Sequence, residues 1–244
     1  SSLSNIKQLN LGFVQYSADN DGTRTTLGDL LKAALIRSSN EASVAAAEYL
    51  AGNEAVFVGW MNDKARALGM TNTHFKNPHG LYADGHYSSA RDLAILTRVA
   101  LTDYPLIRTT VTQGKPPITI HVTPRGNIAV ENHNRQINKP VSGIPNSRID
   151  GVKTGYVRLS GRCLVASATA DGWQLIAVVL NSPDTYKDTD ALFYHGFRQY
   201  DWKVYANEQK PAVRAPVLRG ARPVVPLGAR GSLAAPAPKL NVGN

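Results

Sequence analysis

Apolar spacing changes from helical to alternating between Thr102 and Ile118, and no other feature of the 244-residue chain restricts its fold as much. Upstream, Leu27, Leu30, Leu31, Ala34 and Leu35 recur at helical spacing behind Thr26, a candidate N-cap with Asp29 three residues on. Further helices are predicted over the Ala-rich residues 42–50, over about 54–68 with Gly69 as the stop, and from Ser89 onward with Asp92 in the first turn. Downstream, Ile118, Ile120 and Val122 alternate with polar residues, as do Ile128 and Val130. Strands are predicted over 149–157, 162–168 and 173–180, the last two joined by Asp171-Gly172, a strong hairpin signal. A closing helix carries Leu192, Phe193, Gly196, Phe197 and Tyr200 on one face. Helices first, then an antiparallel sheet with a helical cluster against it, make an α+β domain.

The distribution of charge marks a second region. Of a net charge of +9, six positive residues (Lys210, Arg214, Arg219, Arg222, Arg230 and Lys239) lie after residue 209, where no acidic residue occurs. Six of the fourteen prolines share that stretch. The shift divides the chain into a domain over 1–204 and a Pro-rich, basic β segment over 205–244. In that segment Val213, Val217, Val224, Val225 and Leu227 suggest short edge strands, and residues 234–244 read as a frayed end. Aromatic residues to stack bases are absent after Tyr205, so the charge does not point to nucleic acid.

Several chemistries are excluded. No apolar run approaches the roughly 20 residues that span a bilayer. The single cysteine, Cys163, can form no internal disulfide and no thiolate zinc cluster. The six histidines form no HExxH or comparable cluster, so neither a metal nor another cofactor is expected. The polar start, Ser1 to Lys7, lacks a Met and is not a signal peptide, which suggests a processed or truncated product.

Two tripeptides carry chemistry: Ser38-Ser39-Asn40 at a helix end and Lys153-Thr154-Gly155 on a strand. Each alone is a weak signal, a turn in one case and a strand end with a solvated lysine in the other. They occur in order, 115 residues apart, one after an all-helical segment and one on a strand that opens an antiparallel hairpin. Ser38 offers a hydroxyl that can pass a proton, and Asn40 an amide for a substrate backbone. Lys153 offers positive charge in a groove, and Thr154 a second donor beside it. Gly155, without a Cβ, lets a peptide approach the strand edge and pair with it. Asn132 and Asn134 read as turn caps before substrate contacts.

The combination resembles the active-serine penicillin-binding and β-lactamase superfamily, with its S-x-x-K, S-x-N and K-T-G elements, and is most similar to the low-molecular-mass D-alanyl-D-alanine carboxypeptidases. The resemblance covers about residues 25–200. It includes Thr26-Leu-Gly-Asp-Leu-Leu31, Leu68-Gly-Met-Thr71, Asn77-Pro-His-Gly-Leu81, Ser89-Ala-Arg-Asp-Leu93, Asn132-His-Asn134 and Asp150-Gly-Val-Lys-Thr-Gly-Tyr156. It implies Ser38, Asn40 and Lys153 as catalytic residues, with Thr154 and Gly155 binding substrate. It also implies peptidoglycan stem peptides ending in D-Ala-D-Ala as substrate, β-lactams as inhibitors, and a periplasmic or cell-surface location. The C-terminal region would associate peripherally with membrane or cell wall. A silent peptidoglycan-binding homologue, a D,D-endopeptidase and a serine β-lactamase remain as alternatives.

Two departures from the family stand out. Ser4-Asn5-Ile6-Lys7 is the only S-x-x-K near the start, only 34 residues before Ser38, and Leu9, Leu11 and Phe13 follow it with strand-like alternation, not as a buried helix. Ser1-Ser2-Leu3 with Lys7 fits the segment that precedes the second motif in relatives, so the nucleophile and its base are expected upstream of residue 1, with Ser4 the alternative inside the chain. Relatives also place an arginine before the closing helix, where Asp184-Thr-Tyr-Lys-Asp188 offers only Lys187.

Overall fold

The caps of the first half and the alternation of the second produce the elements they predict in a computed structural model, which describes residues 25–113, 116–122, 126–206, 213–216, 224–227 and 233–239. Ser4, Lys7, their neighbours Ser1 to Phe13, Val217 and the basic residues Lys210, Arg219, Arg222 and Arg230 lie outside the described residues. The chain divides into two compact units, Ser1–Leu192 and Phe193–Asn244. The boundary expected near residue 205 falls within a strand.

In the first unit, helices α1 (Leu27–Leu35), α2 (Asn40–Ala51), α3 (Glu54–Ala67) and α4 (Ala90–Asp103) each begin at a side-chain cap. Thr26 Oγ1, Ser39 Oγ, Asn53 Oδ1 and Ser89 Oγ accept from the N–H groups of Asp29, Ala42, Val56 and Asp92 at 2.9–3.2 Å, satisfying donors that a helix start leaves free. A further helix, α5 (Pro105–Val111), was not predicted. It has no side-chain cap and is only seven residues long, too short for periodicity to show, and its opening proline is tolerated where the missing N–H would have no partner.

Strands β1 (Ile118–Val122) and β2 (Gly126–Val130) form an antiparallel pair under α1 and α2. There Ala33, Ile36, Ala42, Ile120 and Val130 make one buried cluster. The main sheet consists of β3 (Arg148–Val157), β4 (Gly161–Ala170) and β5 (Trp173–Val179), antiparallel with β4 in the centre. Leu164, Ala166 and Ala168 of β4 are fully buried, and α4 packs against β4 and β5 while α5 packs against β3. The predicted hairpin is present: Asp171 and Gly172 have φ of 48° and 83°, as a primed turn requires. One edge of β3 has no strand partner among the described residues.

Helix α6 (Thr185–Gln199) carries the chain out of the first unit. In the second unit, β6 (Tyr200–Ala206), β7 (Val213–Pro216), β8 (Val224–Leu227) and β9 (Leu233–Pro238) form two antiparallel pairs, β6 with β9 and β7 with β8. The expectation of a frayed end from residue 234 is therefore corrected: Leu233–Pro238 is a strand. Lys239 N–H donates toward β6, to the carbonyl of Gln199 at 2.8 Å. Alternation along a strand turns Pro236 and Pro238 the other way, so their missing donors fall on the unpaired side.

Candidate active site

Ser38 lies in the tight turn between α1 and α2, with buried Ile36 on one side and buried Ala42 on the other. Its φ is 61°, left-handed backbone that a non-glycine residue adopts at a cost on the order of 1 kcal/mol. The turn is held by Ser39, whose N–H donates to the carbonyl of Ala33 at 3.0 Å while its side chain caps α2. Ser39 thus serves the backbone, closing the turn after α1 and capping the start of α2, and Ser38 is left with its hydroxyl beside Lys153.

Lys153 of β3 donates a hydrogen bond to Ser38 Oγ and another to the carbonyl of Thr154 at 2.8 Å. The two motifs therefore meet. Burial lowers the Lys153 pKa from 10.5 to about 8, so about nine tenths of it is still cationic at pH 7. Because this lysine titrates higher in the unfolded chain, there it holds more protons between about pH 8 and 10.5, and its contribution to stability rises with pH across that window. Relative to Lys153→Met, the chain should gain on the order of 3 kcal/mol over the window, read from urea midpoints on either side. Equal slopes for the two proteins would mean that the lysine is not held as described.

Beside Ser38 opens a cleft of about 870 Å³, lined by Ser38, by Glu131, Asn132, His133 and Arg135, by Thr154, Gly155 and Tyr156 of β3, by Arg162 and Cys163 of β4, and by residues 183–186, with the Lys153 side chain outside this lining. Thr154 and Gly155 are thus on its wall, whereas Asn40, the first residue of α2, is half-buried and outside the lining. A Cβ added at Gly155 would meet nothing closer than Cys163 Cβ at 3.7 Å. The fold itself does not require glycine there.

The stretch from Glu131 to Arg135 alternates, with Asn132 and Asn134 buried and Glu131, His133 and Arg135 exposed to the cleft. Asn132 Nδ2 donates to the carbonyls of Val111 and Gln113 at 3.3 and 2.9 Å, and Asn134 Nδ2 donates to that of Gly151 at 3.1 Å. Their Oδ1 atoms accept from Asn134 N–H and Gln136 N–H. Both are backbone clamps, as expected for turn caps. From the opposite wall, Tyr186 Oη accepts from Arg135 N–H and donates to the carbonyl of His133, each at 3.2 Å. His133 is exposed by surface area, but partial desolvation at the cleft wall, with Lys153 and Arg37 adding to it, lowers its pKa.

Sequence reasoning did not identify Tyr186, His133, Arg135 or Arg162. The one signal available was the polar alternation around Asn132-His-Asn134. Lys187, the cation expected near the closing helix, is exposed and does not line the cleft, whereas Arg135 and Arg162 do. Among the described residues no cluster of His, Cys, Asp or Glu is placed to hold a metal, and no helix is long and apolar enough to cross a membrane.

A helical cluster against an antiparallel sheet, with a serine turn hydrogen-bonded to a lysine strand beside a cleft, is similar to solved penicillin-binding proteins. Penicillin binding protein 5 from Haemophilus influenzae matches it with a TM-score of 0.73 at 29% identity, over 91% of this chain and 64% of that one. A penicillin-binding protein from Listeria monocytogenes, in its ampicillin-bound form, matches with a TM-score of 0.59 at 29% identity, over 70% of this chain and 67% of the other. The sequence is 34% identical over 227 residues to the D-alanyl-D-alanine carboxypeptidase DacC of Escherichia coli, which covers 90% of this chain and 53% of the relative. The D-alanyl-D-alanine carboxypeptidase family profile matches residues 10–184, and the chain belongs to that family. It spans about half the length of the curated relatives it matches.

Proposed function

We propose that this chain carries the relay and substrate-binding walls of a serine-type D-Ala-D-Ala carboxypeptidase that trims peptidoglycan stem peptides in the bacterial cell envelope and is inhibited by β-lactams. The observation that carries this reading is the Ser38–Lys153 hydrogen bond beside a cleft bordered by β3, one edge of which has no strand partner among the described residues. A peptide ending in D-Ala-D-Ala lies antiparallel to β3 beside Gly155 and takes main-chain hydrogen bonds from the strand. Lys153 and the Thr154 hydroxyl attract its terminal carboxylate, with Arg162 and Arg135 adding positive charge at the cleft walls. A serine hydroxyl attacks the penultimate carbonyl, the amide C–N bond breaks, and Ser38 passes a proton to the departing D-alanine amine. Water then hydrolyses the acyl-enzyme. Asn40 contributes its amide to the substrate backbone in this reading.

Ser38 is given the relay because its only hydrogen-bonded base among the described residues is Lys153, which is mostly cationic at pH 7. The attacking hydroxyl belongs to an S-x-x-K pair, for which Ser4 and Lys7 are the candidate inside this chain. In protein expressed from the intact gene, Ser38→Ala should slow D-alanine release from a D-Ala-D-Ala peptide about 10²- to 10⁴-fold. Intact mass of the 244-residue chain, denatured after exposure to a labelled penicillin, tests whether Ser4 or Ser38 takes an adduct. Binding of the peptide with no D-alanine released by the intact-gene protein would favour the silent homologue. An adduct on Ser38 would make it the nucleophile, and one on Ser4 would show that the short spacing supports catalysis.

A further inference from the structure

A second cavity, of about 280 Å³, opens at the other end of β3, away from Lys153-Thr154-Gly155. Its floor is Asp150, which is 5% exposed. The register of β3 on β4 shifts between Ile149 and Gly151, so Asp150 is a bulged residue, and a bulge re-aims the side chain it carries. Gly151 permits the close approach beside it, because a Cβ there would come within 2.9 Å of Ser167 Oγ.

The Asp150 carboxylate accepts three hydrogen bonds: from Ser167 Oγ and Gln174 Nε2 on Oδ1, and from Thr169 Oγ1 on Oδ2. A carboxylate has about four acceptor positions, which leaves one on Oδ2. Around this floor stand two cations, Arg108 of α5 and Arg148 of β3. Arg148, Thr169 and Gln174 occupy one cross-strand row, which fixes the wall. Neither arginine is in an ion pair among the described residues. The exposed amide of Asn146 completes the rim.

Two guanidinium groups with no ion pair among the described residues complement one carboxylate, and an anchored carboxylate with an acceptor position to spare complements one ammonium. The volume is below the range of drug-sized pockets and suits a ligand of a few heavy atoms. We propose that this cavity binds a small α-amino acid as its zwitterion, with the carboxylate on Arg108 and Arg148 and the ammonium on Asp150. A simple anion would leave Asp150 facing negative charge, and a simple amine would leave both arginines unpaired. The assignment rests on this cavity alone and is independent of the reaction at the cleft.

Isothermal titration calorimetry of the 244-residue chain tests it, with D-alanine, L-alanine, propionate and methylamine as separate titrants. The expected result is one saturable site for alanine. Propionate and methylamine, each lacking one of the two charges, should bind at least about tenfold more weakly. Arg108→Gln and Arg148→Gln, both at exposed positions, should each weaken alanine binding by a similar factor with the circular dichroism spectrum unchanged, and Lys153→Ala should leave it intact. Propionate binding as tightly as alanine would overturn the proposal in favour of a plain anion site. Loss of alanine binding in Lys153→Ala with retention in Arg148→Gln would place the amino acid in the cleft and overturn it equally. So would the absence of heat from alanine at millimolar concentration.

Discussion

Lys153→Ala, in protein expressed from the intact gene, is expected to lower D-alanine release about 10²- to 10³-fold while the fold survives. The size follows from the place of the charge: the ammonium is partly desolvated, as its lowered pKa shows, and donates to Ser38 and to the Thr154 carbonyl. In such a setting one oriented donor acts more strongly on developing charge than it would in water. Survival of the fold follows from the cost of keeping that cation buried, a cost that alanine removes. Steady-state kinetics with a D-Ala-D-Ala peptide, together with the thermal midpoint, provide the measurement. A fall in kcat larger than any rise in KM would locate the contact in the transition state, and an unchanged kcat/KM in a folded variant would remove Lys153 from the site. Lys153→Arg is not a conservative control, because a planar fork cannot replace a compact ammonium in the space beside Ser38.

The largest effect on stability is expected at Asp150→Ala, about 3–5 kcal/mol. Ser167, which is fully buried, together with Thr169 and Gln174, would lose the acceptor that all three share, and the carboxylate crosses from β3 to β4 and β5. For a unit of this size that corresponds to a fall of roughly 10 °C in the melting midpoint. Ser167→Ala, which removes a donor and leaves the carboxylate two partners, should cost less than half as much. Equal losses from both would mean that packing of the small β4 residues, and not the polar cluster, holds this corner together.

The sequence was read most successfully where a local rule decides the structure. Thr26 and Ser89 announce helix starts because a hydroxyl three residues before a free N–H is sufficient, whereas Ser39, which also caps a helix start, lies in a tripeptide that reads as a helix end, and Asp171-Gly172 announces a hairpin because few residues accept two successive positive φ angles. Helix α5 escaped notice because seven residues behind a proline carry almost no periodicity, and β9 because its prolines look disruptive until the pairing direction is known. At the site, Ser38 and Lys153 could be paired from motif order, although no rule of spacing links positions 115 residues apart. The residues that shape the cleft are another matter. Tyr186 joins His133 and Arg135 across more than 50 positions, and Arg162 reaches the cleft only because β4 lies beside β3. Such contacts are products of the tertiary fold, and no local pattern encodes them.

The free edge of β3 has a consequence for the behaviour of many copies together. A strand edge such as this one, without a strand partner among the described residues, is a template for a second copy of itself, and stacking of such edges is a common start to aggregation. Here the edge strand and its turn carry Arg148, Lys153 and Arg158, three cations along a short length, with one carboxylate that is turned inward at the bulge. Two such edges brought side by side repel each other, whereas the peptide proposed above, ending in a carboxylate, would be drawn in. In that reading the charge on β3 separates guest from self, and neutralising it should make the protein more prone to self-association as well as a poorer binder.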